Sequence, residues 1–137
     1  MDVNRSKSDE FMGCISLDSY LKYAKQLFNT DFEIKSEDVP IMSLYITQPN
    51  IEKKKYDTIL NGQFKADDPV TVVQGIEKRF LVVGHTRTRV EYEHNNIYVK
   101  ANVLYPNTMR LEEALEEENL RLRQNCRTGK IDSIKFC

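Results

Sequence analysis

Cysteine, histidine and long apolar runs are all scarce in this chain, and each scarcity excludes something. The three cysteines, Cys14, Cys126 and Cys137, are an odd number with no close pair, which argues against a disulfide framework. Two histidines beside them give no zinc-ligand spacing, so reduced thiols in a reducing compartment are the expectation. No apolar run approaches the roughly 18 to 20 residues that a bilayer crossing needs. The opening residues MDVNRSKSDEF are polar and carry acids, unlike a secretory signal, and a cytoplasmic location is expected. Charge of one sign is lacking too. A net charge of −1 does not announce nucleic acid or membrane binding for the chain as a whole, so any cationic site must be local.

What remains is the composition of a globular domain: 40% hydrophobic and 30% charged residues over 137 positions, a length that suits one domain. Residues 1–14 read as a flexible arm, 15–125 as the domain and 126–137 as a short tail. Leu17, Leu21, Ala24 and Phe28 recur at helical spacing behind Ser16, a good N-cap. A strand is expected from Pro40 to Thr47, then a helix capped by Asn50 and ended by Gly62. PVTVVQ and KRFLVVG read as two strands joined at Gly75–Glu77, the second a continuous apolar run of the kind covered on both faces. A short helix over 86–94, a strand over 97–105 and a charged helix with apolar Met109, Leu111, Ala114, Leu115, Leu120 and Leu122 complete a small α+β domain with a mixed sheet and flanking helices. The leucines of the last helix are expected to cover the sheet, with a dimer seam as the alternative.

The chemistry concentrates at FLVVGHTRTRVEYEH, residues 80–94. A strand that turns through a glycine into a helix makes a phosphate site, because the first turn offers unpaired N–H groups and glycine permits close approach. Gly84 supplies the turn, Thr86 and Thr88 hydroxyls, and Arg87 and Arg89 guanidinium forks that grip oxygens in pairs. A cation in the first turn is disfavoured by roughly 0.3 to 1 kcal/mol against the helix dipole, and a bound anion would reverse that. The competing reading pairs Arg87 with Glu91 and Arg89 with Glu93 at four-residue spacing, in the weaker orientation. His85 is a candidate general base, or a hydrogen-bond donor to phosphate. His94, closing the same helix, reads as a local cap.

This segment resembles the ParB/sulfiredoxin superfamily, whose ParB members carry Gly-Glu-Arg-Arg-x-Arg in this setting. Gly84, Arg87 and Arg89 match its glycine, second arginine and last arginine, while His85 and Thr86 replace the glutamate and first arginine. Other ParB-like proteins carry Gly-His-His-Arg, which brings His85 and Arg87 within range. The sulfiredoxin cysteine is lacking, so sulfinic acid reduction is not expected. The resemblance spans roughly residues 40 to 123, with Gly62 and Pro69 in the expected order, and "EENLRLRQ" resembles the second ParB box at Glu118 and Asn119. It implies a ParB/sulfiredoxin-like fold that binds a nucleotide or phosphate at Gly84, His85, Thr86, Arg87 and Arg89, with Glu118 and Asn119 contributing.

ParB proteins hydrolyse CTP with Mg2+ and clamp DNA, relatives phosphorylate free serine, and some are described as nucleases. The implied activity is therefore NTP hydrolysis or phosphotransfer linked to DNA maintenance, with His85 catalytic and Mg2+ accompanying a nucleoside triphosphate. The alternatives are a non-catalytic nucleotide-sensing or interaction module, plasmid- or phage-encoded, acting through DNA or a protein partner, and a metal-dependent nuclease. Asp67 and Asp68, with Glu52 and Glu77, are the carboxylates available for a metal, and no ligand set is singled out. The Lys53–Lys55 run could meet DNA phosphates or be a solvated helix face. A homodimer is open. A chain of this length leaves no room for a helix-turn-helix after the last helix, so sequence-specific partition binding is not expected.

Overall fold

The apolar run at Phe80–Val83 finds cover on both of its faces, and the architecture follows from that. A computed structural model describes residues 16–48, 50–61, 69–122 and 129–136; the expected arm, Gly62 and the Asp67–Asp68 pair lie outside the described residues. Among the described residues, four helices, α1 (Leu17–Phe28), α2 (Lys53–Leu60), α3 (His85–Glu93) and α4 (Met109–Leu122), accompany seven strands. The strands are β1 (Phe32–Pro40), β2 (Leu44–Ile46), β3 (Asn50–Ile51), β4 (Val70–Gln74), β5 (Arg79–Val83), β6 (Tyr98–Pro106) and β7 (Lys135–Phe136). Five of them form a mixed sheet in the order β1-β6-β4-β5-β2, and β3 pairs with β7. β1–β6 and β4–β5 are antiparallel, while β4–β6 and β2–β5 are parallel. The expected α+β architecture is present.

Strand alternation sends successive side chains to opposite faces, and each face has its own core. On one, Leu81, Val70, Val72, Ala101 and Val103 pack with Tyr56 of α2, Val90 of α3, and Ile131 and Ile134. On the other, Phe80, Val82, Val73 and Leu104 pack with Tyr20 and Ala24 of α1 and Leu111 and Leu115 of α4. The central position of β4 explains why four of its five residues are buried. Leu111 and Leu115 of α4 thus cover the sheet, while Met109 and Leu120 stay exposed. At α1, Ser16 and Ser19 form a reciprocal capping box, as the Ser16 expectation required.

Three local expectations need correction. β1 has no counterpart in the sequence reading, because only Val39 of its nine residues is buried and its apolar alternation stops after Phe32 and Ile34. The helix after Asn50 starts at Lys53, with Glu52 at the cap position and Asn50–Ile51 drawn into a strand pair with β7. The segment 129–136, expected as part of a tail, is instead built into the core. Ile131 and Ile134 are buried there, and the Ile46 N–H donates to the Gly129 carbonyl at 2.9 Å.

Candidate anion site at the start of helix α3

β5 ends at Val83 and α3 begins at His85, so one residue makes the whole turn. Gly84 does so at φ +100°, a conformation that L side chains rarely adopt. A Cβ there would lie 2.5 Å from Val70 Cγ1, so the position requires glycine on two independent grounds. The first closed helical bond runs from Thr88 N–H to the Gly84 carbonyl at 2.9 Å. The N–H groups of His85, Thr86 and Arg87 precede it and have no acceptor among the described residues, as the geometry of a helix start dictates.

His85 is 3% exposed. Its Nε2 accepts the Thr47 N–H at 3.1 Å, which places the ring proton on Nδ1. That Nδ1 is buried without a hydrogen-bond partner. Burial pushes the His85 pKa down from 6.5 to about 3, because a charged imidazolium would lose its hydration. The ring is therefore neutral near pH 7, with its Nδ1 proton left to donate. Thr47 is itself anchored, its Oγ1 donating to the Leu81 carbonyl at 2.8 Å. Nothing in residue spacing pointed to Thr47, whose part depends on the parallel pairing of β2 with β5.

The two arginines of the motif have different environments. Arg89 Nη1 donates to the carbonyls of Ile131 and Ile134, both at 3.1 Å, and Nη2 pairs with Glu93 at 3.4 Å. Its guanidinium also lies 5.3 Å from the Phe136 ring centre. Arg89 is thus occupied in holding residues 129–136 onto α3, an arrangement that lends its expected place among phosphate ligands no support. Thr88 is occupied too, its hydroxyl turned back onto the Gly84 carbonyl at 2.8 Å. Arg87 is otherwise. It is 8% exposed and has no hydrogen bond or ion pair among the described residues. The Glu91 that could have paired with it accepts from Asn96 instead.

Of the second box, Asn119 is fully buried and donates through Nδ2 to the carbonyls of Ile46 at 2.8 Å and Gly129 at 3.0 Å. It ties α4 to the end of β2, next to the Thr47 that meets His85. Glu118 pairs with Arg121 at 2.7 Å on the helix surface. Asn119 therefore supports the site indirectly, and Glu118 has no placement that joins it. His94 caps locally through Nδ1 and the Val90 carbonyl. Glu52 and Glu77 are exposed, Glu77 on the β4–β5 hairpin at the end of β5 away from Gly84. Among the described residues no group of three or more His, Cys, Asp or Glu gathers to hold a metal ion.

The fold and site thus define a mixed α+β domain with a strand–glycine–helix turn and, in the first turn of α3, an arginine with no partner among the described residues. No family model matches the chain, and no curated protein matches it. Among solved structures it is similar to protein Atu1540 from Agrobacterium tumefaciens, at 15% identity and a TM-score of 0.49 over 64% of this chain and 50% of that one. The chain spans about half the length of that protein, a likeness too slight to carry an argument. No described helix is long and apolar enough to cross a membrane.

Proposed function

We propose that the start of α3 binds the phosphate of a nucleotide, and that the protein is a ParB-like nucleotide-binding domain. Arg87 carries the reading. Its stem is buried, yet none of its guanidinium nitrogens is among the buried atoms left without a partner, so the cation is unpaired and still open to an oxyanion. The supporting groups are mostly donors: three N–H groups at the helix start, His85 Nδ1–H and Arg87, with the Thr86 hydroxyl able to donate or accept. A donor-rich site favours a ligand rich in acceptors, which a phosphate group is. Arg89, Asn119 and Thr47 position this arrangement rather than touch the ligand.

The low pKa of His85 favours binding without proton transfer, so a nucleotide-sensing module stands ahead of an NTP-hydrolysing or phosphotransfer enzyme. The test is a thermal-shift panel of ATP, CTP, GTP and inorganic phosphate, with and without Mg2+. Stabilisation by phosphate-bearing ligands, lost in Arg87→Met, is expected. Melting points that no member of the panel moves would remove the reading. Release of inorganic phosphate from the stabilising nucleotide would reinstate an enzyme.

A further inference from the structure

Strand β1 forms one edge of the sheet. All nine of its residues pair with β6 on one side, and no backbone bond is made on the other among the described residues. Nine residues span about 30 Å, an unusually long open edge for a domain of this size, since exposed edges are commonly kept short or bulged. Its single proline stands at the last position.

We propose that two copies of this chain pair through antiparallel β1 strands, with the two-fold axis at Ser36. A two-fold axis through a shared sheet sets residues of like facing opposite one another, so the two numbers in each pair must have an even sum. Only the register centred on Ser36 overlaps all nine residues, because 36 is the midpoint of Phe32–Pro40. That register sets Lys35 opposite Glu37 twice, and no like charges opposite each other. The neighbouring choices do worse: centring on Lys35 opposes Lys35 to itself and Glu33 to Glu37, and centring on Glu37 opposes that residue to itself.

Both faces of the edge are prepared for such a partner. On one, Glu37 is already oriented, hydrogen-bonded to Tyr105 and paired with Arg79 at 3.3 Å. A carboxylate with capacity to spare there receives the partner's Lys35, whose present contact with Glu33 is long, at 3.8 Å, and exposed. On the other, Ile34 is 43% exposed and lines a groove with Leu21, Lys22 and Lys25 of α1. The proposed register sets the partner's Asp38 opposite Ile34, on the side where these two lysines lie. The alternating charges that deter generic strand addition thus become self-complementary in one register.

Sedimentation velocity over a concentration series should give twice the mass of one chain, and Lys35→Glu should weaken the dimer about tenfold or more while leaving the circular dichroism unchanged, since Lys35 is exposed. With Cys14, Cys126 and Cys137 replaced by serine, Ser36→Cys should oxidise to a covalent dimer. Ile34→Cys and Asp38→Cys should each cross-link poorly alone and readily when mixed. A chain that sediments as a monomer throughout, or adds mass only from a different protein, overturns the proposal. So does a dimer in which Ser36→Cys fails to cross-link.

Discussion

Replacing Arg87 by methionine separates a ligand-binding arginine from a structural one by whether its effect needs the ligand. The residue is 92% buried, the complement of its 8% exposure, and has no partner among the described residues. Methionine keeps the apolar stem that packs and removes the charge. None of its guanidinium nitrogens is a buried atom without a partner, so removing the charge recovers no large desolvation penalty. In phosphate-free buffer Arg87→Met should therefore lie within about 1 kcal/mol of the natural protein. At about 3 °C per kcal/mol for a chain of this size, that is a melting point within about 3 °C. A ligand at a hundred times its Kd stabilises the natural protein by about 2.7 kcal/mol, or about 8 °C, and should leave the variant unmoved. Differential scanning calorimetry should show a gap between the two proteins that opens only when ligand is present. A variant destabilised in both buffers by the several kcal/mol of a core truncation, with an equal ligand response, would refute the reasoning.

The other predictions concern the groups that build the site. The unfolded chain takes up the His85 proton near pH 6.5 and the folded chain only near 3. The neutral ring's contribution is thus complete above 6.5 and declines as pH falls towards 3, by about 1.4 kcal/mol per pH unit. His85→Gln should flatten that part of the stability profile, measured by urea denaturation at a series of pH values; an unchanged slope would contradict the buried neutral ring. Arg89→Ala should cost about 2–3 kcal/mol through its charged hydrogen bonds to two carbonyls and speed hydrogen exchange across residues 129–136; exchange confined to α3 would contradict the clamp. Gly84→Ala meets both Val70 and a positive φ, and a loss of about 1–3 kcal/mol is expected in denaturant titration. A neutral result there would mean that the turn has another conformation.

Sequence legibility followed the range of the forces involved. The start of α1 was legible because Ser16 and Ser19 meet within one turn, and the β5–Gly84–α3 turn was legible because a covered strand, a glycine and a helix are adjacent in the chain. β1 was not, since its residues are mostly polar and its strand state comes from pairing with β6 some 66 positions away, as in Phe32 opposite Pro106 at the far end and Pro40 opposite Tyr98 at the near one. The two arginines of the motif are alike in spacing. Only the return of Ile131 and Ile134 to α3 distinguishes Arg89, held by their carbonyls, from Arg87. Asn119 was picked out by a resemblance, yet its bonds to Ile46 and Gly129 give it a structural task that no local pattern specifies.

A phosphate titration followed by nitrogen–proton correlation NMR tests the central claim most directly. The account predicts progressive shifts at the amides of His85, Thr86 and Arg87 and at the Arg87 side-chain Nε–H, saturating together and absent in Arg87→Met. Amides at the start of α3 that stay still while phosphate, ATP and CTP are raised to saturation elsewhere on the protein would contradict it.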